Sequence, residues 1–128
     1  MQSEKEKMLS GKPYNAFGEE LESERRRAAE LLYEYNRLPP GKSDERREIL
    51  KKLLGSSCEA FVLEPPFRCD YGYNIHLGEN FFANYNLVIL DCARVSIGKN
   101  ALIGPDVGIY TAGHPVHPEP RSRDLEYA

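Results

Sequence analysis

A mainly β protein, built as a parallel β-helix of six-residue repeats behind a small α-helical module, is the fold class this sequence predicts. Three observations carry it. Leu77, Ala83, Ile89 and Val95 stand six residues apart, each small or aliphatic. A second ladder begins two residues later with Ile97, Ile103 and Ile109, again six apart. Gly98 and Gly104 directly follow Ile97 and Ile103. A fixed six-residue period with one apolar residue per repeat is the pattern of a β-helix. Three short strands make one coil of a triangular prism, and the aliphatic side chain fills its narrow interior. The small residue after it lets the chain bend at the corner. One repeat cannot bury its apolar face alone, so coils must stack. A sandwich of alternating strands would space its turns every ~8–12 residues, wider than the spacing here.

The elements follow in chain order. Ser3 with Glu6 three residues on is a capping box, so a short helix starts there and stops near Gly11. Lys12-Pro13-Tyr14-Asn15 is a loop, because the proline cannot continue a helix. From about Gly18 to Asn36 the chain is helical: Leu21, Ala28, Leu32 and Tyr35 fall on one face of a 3.6-residue period. Arg25, Arg26 and Arg27 lie in its middle, offset by Glu20, Glu22 and Glu24. Leu38-Pro39-Pro40-Gly41-Lys42 breaks this helix. Ser43 caps a third one, with Asp44 and Glu45 in the first turn and Lys51 and Lys52 in the last, which suits the helix dipole. Gly55 ends it. Residues 1–57 are thus a helical module too small for a core of its own, and it must pack on the prism or on a neighbour.

Residues 58–128 are the repeat region. Phe61-Val62-Leu63 is a strand, the prolines of Glu64-Pro65-Pro66-Phe67 mark entry into a new unit, and Tyr71, six before Leu77, begins the ladder. After His114 the run Pro115 to Asp124 carries three prolines and several charges, which exclude another coil. It is an excursion loop leaving the prism. About two and a half coils precede it. A β-helix ordinarily finishes with a polar cap, so the sequence reads as the front part of a longer design, an incomplete prism.

Composition narrows the classes of function. The chain has 128 residues, a net charge of −3 and a pI of about 5.7, which is not the basic footprint of a nucleic-acid binder. No apolar run reaches the ~18 residues of a membrane span, and the charged MQSEKEKM start is no secretion signal. Cys58, Cys69 and Cys92 are odd in number and lack C-x-x-C spacing. They read as free thiols in a reducing cytoplasm.

No glycine-rich phosphate loop, zinc-type Cys/His cluster or nucleophile elbow is present. The polar residues left on the repeat are Asp70, Asn84, Asn86, Asp91, His114 and His117. His114 stands in Gly113-His114-Pro115, just past the last countable coil, where an imidazole is suited to act as general base toward a hydroxyl. It could equally be a surface loop histidine. His76 sits inside a repeat, and His117 reads as exposed. Asn84 lies five six-residue strands before His114, which is not a whole number of coils. The two residues therefore stand on different faces of one prism and could meet only across a contact between two prisms. That geometry points to a symmetric oligomer, although an asparagine bonded into its own corner fits Asn84 as well.

Asp70-Tyr71-Gly72-Tyr73-Asn74-Ile75, Asn80-Phe81-Phe82-Ala83-Asn84-Tyr85-Asn86, Ile97-Gly98 and Thr111-Ala112-Gly113-His114-Pro115-Val116-His117 together resemble the hexapeptide-repeat sugar O-acetyltransferases. These are the maltose, galactoside and nodulation-factor acetyltransferases. The resemblance covers essentially the whole chain, and Phe67 to Asn74 points to the maltose branch in particular. It implies a left-handed parallel β-helix, a homotrimer with sites between neighbouring prisms, and acetyl-CoA as co-substrate, with no metal. It also implies a general base at His114 and an acceptor-orienting asparagine at Asn84. Asp70, Phe82, Asp91 and Arg25 would line the acceptor pocket, and Glu126 would orient the imidazole. A small sugar such as maltose or glucose would be acetylated by direct attack on the thioester.

Two departures concern the sugar. Asn15-Ala16-Phe17 stands where some members carry an aspartate, and Cys92 where some carry a second acid after the one at Asp91. The family's chains continue into further coils that hold most of the coenzyme A groove, so no coenzyme contact carries over and weak turnover is expected of these 128 residues. Two other classes fit parts of the pattern. One is a non-catalytic hexapeptide-repeat assembly or binding protein in which His114 is idle. The other is a metal enzyme resembling the hexapeptide-repeat carbonic anhydrases, although His76, His114 and His117 lack a shared spacing.

Overall fold

The computed structural model describes residues 1–123 and 125–128. Asp124, at the end of the expected excursion, lies outside the described residues. The chain runs α1 (Glu4–Leu9), β1 (Tyr14–Asn15), α2 (Glu19–Arg37) and α3 (Ser43–Leu53) before entering the prism. The prism strands are β2 (Phe61–Leu63), β3 (Phe67–Cys69), β4 (Ile75–Leu77), β5 (Phe81–Ala83), β6 (Leu87–Leu90), β7 (Val95–Ile97), β8 (Leu102–Ile103) and β9 (Gly108–Tyr110). A short α4 (Pro118–Arg121) and β10 (Leu125–Glu126) follow. Three parallel sheets form the walls: β2-β5-β8, β3-β6-β9 and β4-β7.

Each coil is 20 residues, not the 18 that three six-residue strands would give. Phe61 pairs with Phe81, Phe67 with Leu87 and Ile75 with Val95, and the same offset of 20 links side chains at the corners. The two extra residues enter at one corner of every coil, between the second and third sheets, where Leu87 to Val95 is a step of eight. That step explains the offset between the two sequence ladders. The interior columns are Leu77–Ile97, Leu63–Ala83–Ile103 and Cys69–Ile89–Ile109. Val95 belongs to a different column, above Ile75.

The corners also turn by a different device from the one expected. Asn80, Asn86, Asn100 and Asp106 take positive φ of 58–67°, whereas Gly98 and Gly104 do not. Asn and Asp tolerate the left-handed region because their short polar side chains bond locally. Here they bond to one another along the prism: Asn80 Nδ2 donates to Asn100 Oδ1 at 3.0 Å, and Asn86 Nδ2 to Asp106 Oδ1 at 2.9 Å.

The helices have no core of their own. Ala28, Leu32 and Tyr35 of α2 and Ile49, Leu50 and Leu53 of α3 pack in one cluster with Phe61, Phe67, Phe81 and Leu87 of the prism. Tyr35 donates its hydroxyl to the Leu63 carbonyl, and Asn36 Nδ2 to the Phe67 carbonyl at 3.0 Å. Burying an aliphatic or aromatic side chain contributes about 1.5–3 kcal/mol, so this shared cluster is the main bond between the segments. The capping box at Ser3 and Glu6 forms as expected. Ser43 is the first helical residue of α3 and not its cap; Lys42 holds that place without a side-chain bond.

A strand in the first segment had no sequence signal. Tyr14–Asn15 pairs antiparallel with Leu125–Glu126 at the far end of the chain. Tyr127 then exchanges both backbone hydrogen bonds with Gly113. The excursion after His114 therefore returns, and it ties the start of the chain to the last coil. No described helix is long and apolar enough to cross a membrane.

Candidate active site

The wide corner of the prism gathers most of the candidate polar residues. It contains Asp70 to Asn74 in the first coil, Asp91 to Arg94 in the second, and Thr111 to His114 in the third. A second apolar cluster lies beneath it, formed by Met8, Tyr14, Ala16, Leu21, Tyr71 and Cys92.

Asp91 organises this corner from inside. Its side chain is fully buried, and its carboxylate accepts four backbone N–H bonds, from Asp70 (3.1 Å), Tyr71 (2.9 Å), Gly72 (2.7 Å) and Asn74 (3.3 Å). The Asn74 side chain returns a bond to the Asp91 carbonyl at 2.8 Å. Burial raises the Asp91 pKa above the usual carboxylate range, and the backbone donors pull it part of the way back. Asp91, expected to line an acceptor pocket, is placed by the structure with its oxygens bonded to the chain's own backbone.

Asp70 turns the other way. Its Oδ2 accepts from the Cys92 thiol at 3.4 Å. Burial raises its pKa, the Cys92 thiol and Arg25 oppose that, and Glu126 adds to it. Arg25 reaches in from α2, donating to the Tyr71 hydroxyl at 2.8 Å and to the Ala16 carbonyl at 2.7 Å. Ala16, Phe17, Arg25, Asp70, Tyr71, Cys92 and Glu126 line a cavity of about 170 Å³. It adjoins a second one of about 280 Å³, lined by Phe17, His114, Arg121 and Glu126. Phe17 and Glu126 belong to both.

His114 stands at the mouth of the larger cavity, half-exposed. Its Nε2 is 4.0 Å from Glu126 Oε1, close enough for charge attraction but too long for a hydrogen bond. The other Glu126 oxygen accepts from the buried Tyr14 hydroxyl at 3.0 Å.

Four of the expected site residues therefore come together: Arg25, Asp70, His114 and Glu126. Asn84 and Phe82 do not join them. Asn84 sits at the next corner, between the first and second sheets, where its Oδ1 accepts from the Tyr85 amide at 2.8 Å. Phe82 lies on the outer face of the first sheet, between Val62 and Leu102. Tyr14, Phe17 and Arg121 were not singled out as site residues from the sequence. Nothing local marks them, because each reaches the site only through the long-range closure of β1 on β10. His76 pairs with Ser56, Nδ1 to Oγ 2.8 Å, on the third sheet, away from this corner. Among the described residues no group of three or more His, Cys, Asp or Glu side chains is placed to hold a metal ion.

Comparison with known proteins agrees with this architecture. A family model described as the maltose acetyltransferase hexapeptide capping motif matches residues 7–57. The chain is 42% identical to nodulation protein L of Rhizobium meliloti over 124 residues, covering 97% of this chain and 68% of that protein. It is 39% identical to galactoside O-acetyltransferase of Escherichia coli K12, covering 96% of this chain and 61% of that one. A maltose O-acetyltransferase from Clostridium difficile 630 superposes with a TM-score of 0.98 at 45% identity, over 99% of this chain and 68% of that structure. A galactoside acetyltransferase solved in complex with coenzyme A superposes with a TM-score of 0.91 at 36% identity, over 100% of this chain and 64% of that structure. The chain thus spans roughly three fifths to two thirds of the length of these relatives. The prism is the left-handed parallel β-helix these enzymes share. With the repeat walls, the helical cap and these likenesses in hand, the chain belongs to the hexapeptide-repeat acetyltransferase family that includes the maltose and galactoside O-acetyltransferases.

Proposed function

We propose that this chain carries the acceptor half of an acetyl-CoA-dependent O-acetyltransferase acting on a hydroxyl of a small sugar such as maltose or glucose. The observation that carries the proposal is His114, open to a cavity with the Glu126 carboxylate 4.0 Å from its Nε2. In this reading the imidazole takes the proton of the sugar hydroxyl. The oxygen attacks the thioester carbonyl, the C–O bond forms, the C–S bond breaks, and the coenzyme thiol leaves with the proton. Arg25 and Asp70, in the adjoining cavity, offer a donor and an acceptor to sugar hydroxyls.

Asn84 and Phe82 fit the same reading only if they come from a second copy. Their corner lies apart from His114, and a homotrimer of prisms packed side by side would bring one copy's Asn84 toward another's His114. Three unpaired cysteines suit a cytoplasmic protein. The test is acetyl transfer from acetyl-CoA to maltose and glucose, with wild type compared to His114→Ala and oligomeric mass followed by light scattering. A loss of at least ~100-fold with an unchanged oligomer is expected. An unchanged rate would remove His114 from the mechanism and favour a non-catalytic assembly protein.

A further inference from the structure

We propose that Tyr14 is a positioning residue that acts through Glu126 on His114, which brings the N-terminal segment into the reaction. The inference rests on the reading of His114 as general base. Two backbone ladders bring the three residues together. Tyr14 pairs with Glu126 across β1 and β10, and Tyr127, next to Glu126, is bridged to Gly113, next to His114. The ladders fix the main chain on both sides of Glu126 but leave its carboxylate free to rotate.

Two cavities compete for that carboxylate. One holds His114 and the other holds Arg25, and Glu126 lines both. A guanidinium is a permanent cation and a strong partner for a carboxylate. Left alone, Glu126 would be drawn toward Arg25. The Tyr14 hydroxyl holds Oε2 at 3.0 Å, and the remaining oxygen faces His114 Nε2. Tyr14 is 1% exposed, so its ring and hydroxyl are enclosed by protein groups. Burial above all, with Cys92 and Glu126 adding to it, keeps the phenol protonated far above neutral pH, so it can only donate to the carboxylate. Arg25 is itself engaged with Tyr71 and Ala16, which keeps the guanidinium in the adjoining cavity.

The experiment is a double-mutant cycle of Tyr14→Phe and Glu126→Gln in this chain. Phenylalanine keeps the ring that packs with Met8 and Leu21, so the variant retains the core beneath the site. The first readout needs no turnover: the 1H–13C resonance of His114 Cε1–H, assigned with His114→Ala. Tyr14→Phe is expected to move this resonance toward its position in Glu126→Gln, and to add nothing when Glu126 is already Gln. The second readout is acetyl transfer. Tyr14→Phe should lower kcat about tenfold while both KM values stay within about twofold, and the double variant should match Glu126→Gln alone. An unmoved resonance, or additive effects, overturns the proposal, since a merely structural tyrosine would lower the unfolding midpoint and leave His114 untouched. The two ideas fail separately. Coupling together with acetyl transfer that survives His114→Ala would keep Tyr14 as a positioning residue and sink the base at His114. Transfer that ignores Tyr14 would keep the base and sink the positioning residue.

Discussion

The Cys92 thiol donates to Asp70 Oδ2 at 3.4 Å, so a sulfur borders the acid in the lining of the smaller cavity. Burial pushes the Cys92 thiol up to about 12 and raises that of Cys69 as well. The thiolate is the reactive form. With N-ethylmaleimide at pH 8, Cys58 should therefore be labelled first, and Cys69 and Cys92 at least ~100-fold more slowly. Peptide mass mapping over a time course checks this, and equal rates at the three sites would contradict the burial seen here.

Asp70 gives a pH dependence of known sign. Its folded pKa is raised above the ordinary 3.8, first by burial. The folded chain therefore holds that proton more tightly than the unfolded chain. The stability this contributes is fully present below about 3.8 and is lost as pH rises through the raised folded value. Urea melts across mildly acidic pH should show wild type losing stability with rising pH relative to Asp70→Asn. A difference that grows in the opposite direction would refute the sign.

Removing the Asp91 carboxylate leaves buried backbone donors without a partner. Asp91→Ala should cost about 3 kcal/mol in urea unfolding, the penalty typical of unsatisfied buried polar groups. A loss below about 1 kcal/mol would mean that water or a shifted corner replaces the carboxylate.

Gly72 ties this corner to the helices. Its φ is +89°, and an added Cβ would lie 2.5 Å from both the Leu53 carbonyl oxygen and Leu53 Cδ1. Gly72→Ala should destabilise by about 2 kcal/mol or more. Because the backbone oxygen is as close as the side chain, Leu53→Ala should not rescue it. Thermal melts of the single and double variants decide the point.

The walls of the prism were legible because their cause is local. Along each six-residue side from Leu77 to Ile89 and from Ile97 to Ile109 every rung needs an apolar side chain at a fixed step, and Leu21, Ala28, Leu32 and Tyr35 need only helical spacing. The wide corner was half legible. The ladders show a jump of two residues between Val95 and Ile97, but sequence alone cannot say whether that jump is a new ladder or a longer turn. His114 and Asp70 stood out as polar residues on an apolar repeat. Asp91 stood out for the same reason, yet its carboxylate faces inward, and the direction a side chain faces at a corner is not periodic. Tyr14 had no signal, since its partner lies 112 residues away and the pairing depends on the finished prism.

The step of eight has one more consequence. Pairing between coils is set by the six-residue sides, where the rungs meet at an offset of 20. Residues within the wide corner carry no rung, but Asp91 and Gly72 are held there by the backbone they meet, so change that leaves the walls in register falls to exposed neighbours such as Arg94. Substitution at such exposed positions changes the chemistry of this edge, while the stacked interior stays as it is. The prism works as a fixed ruler with one adjustable edge.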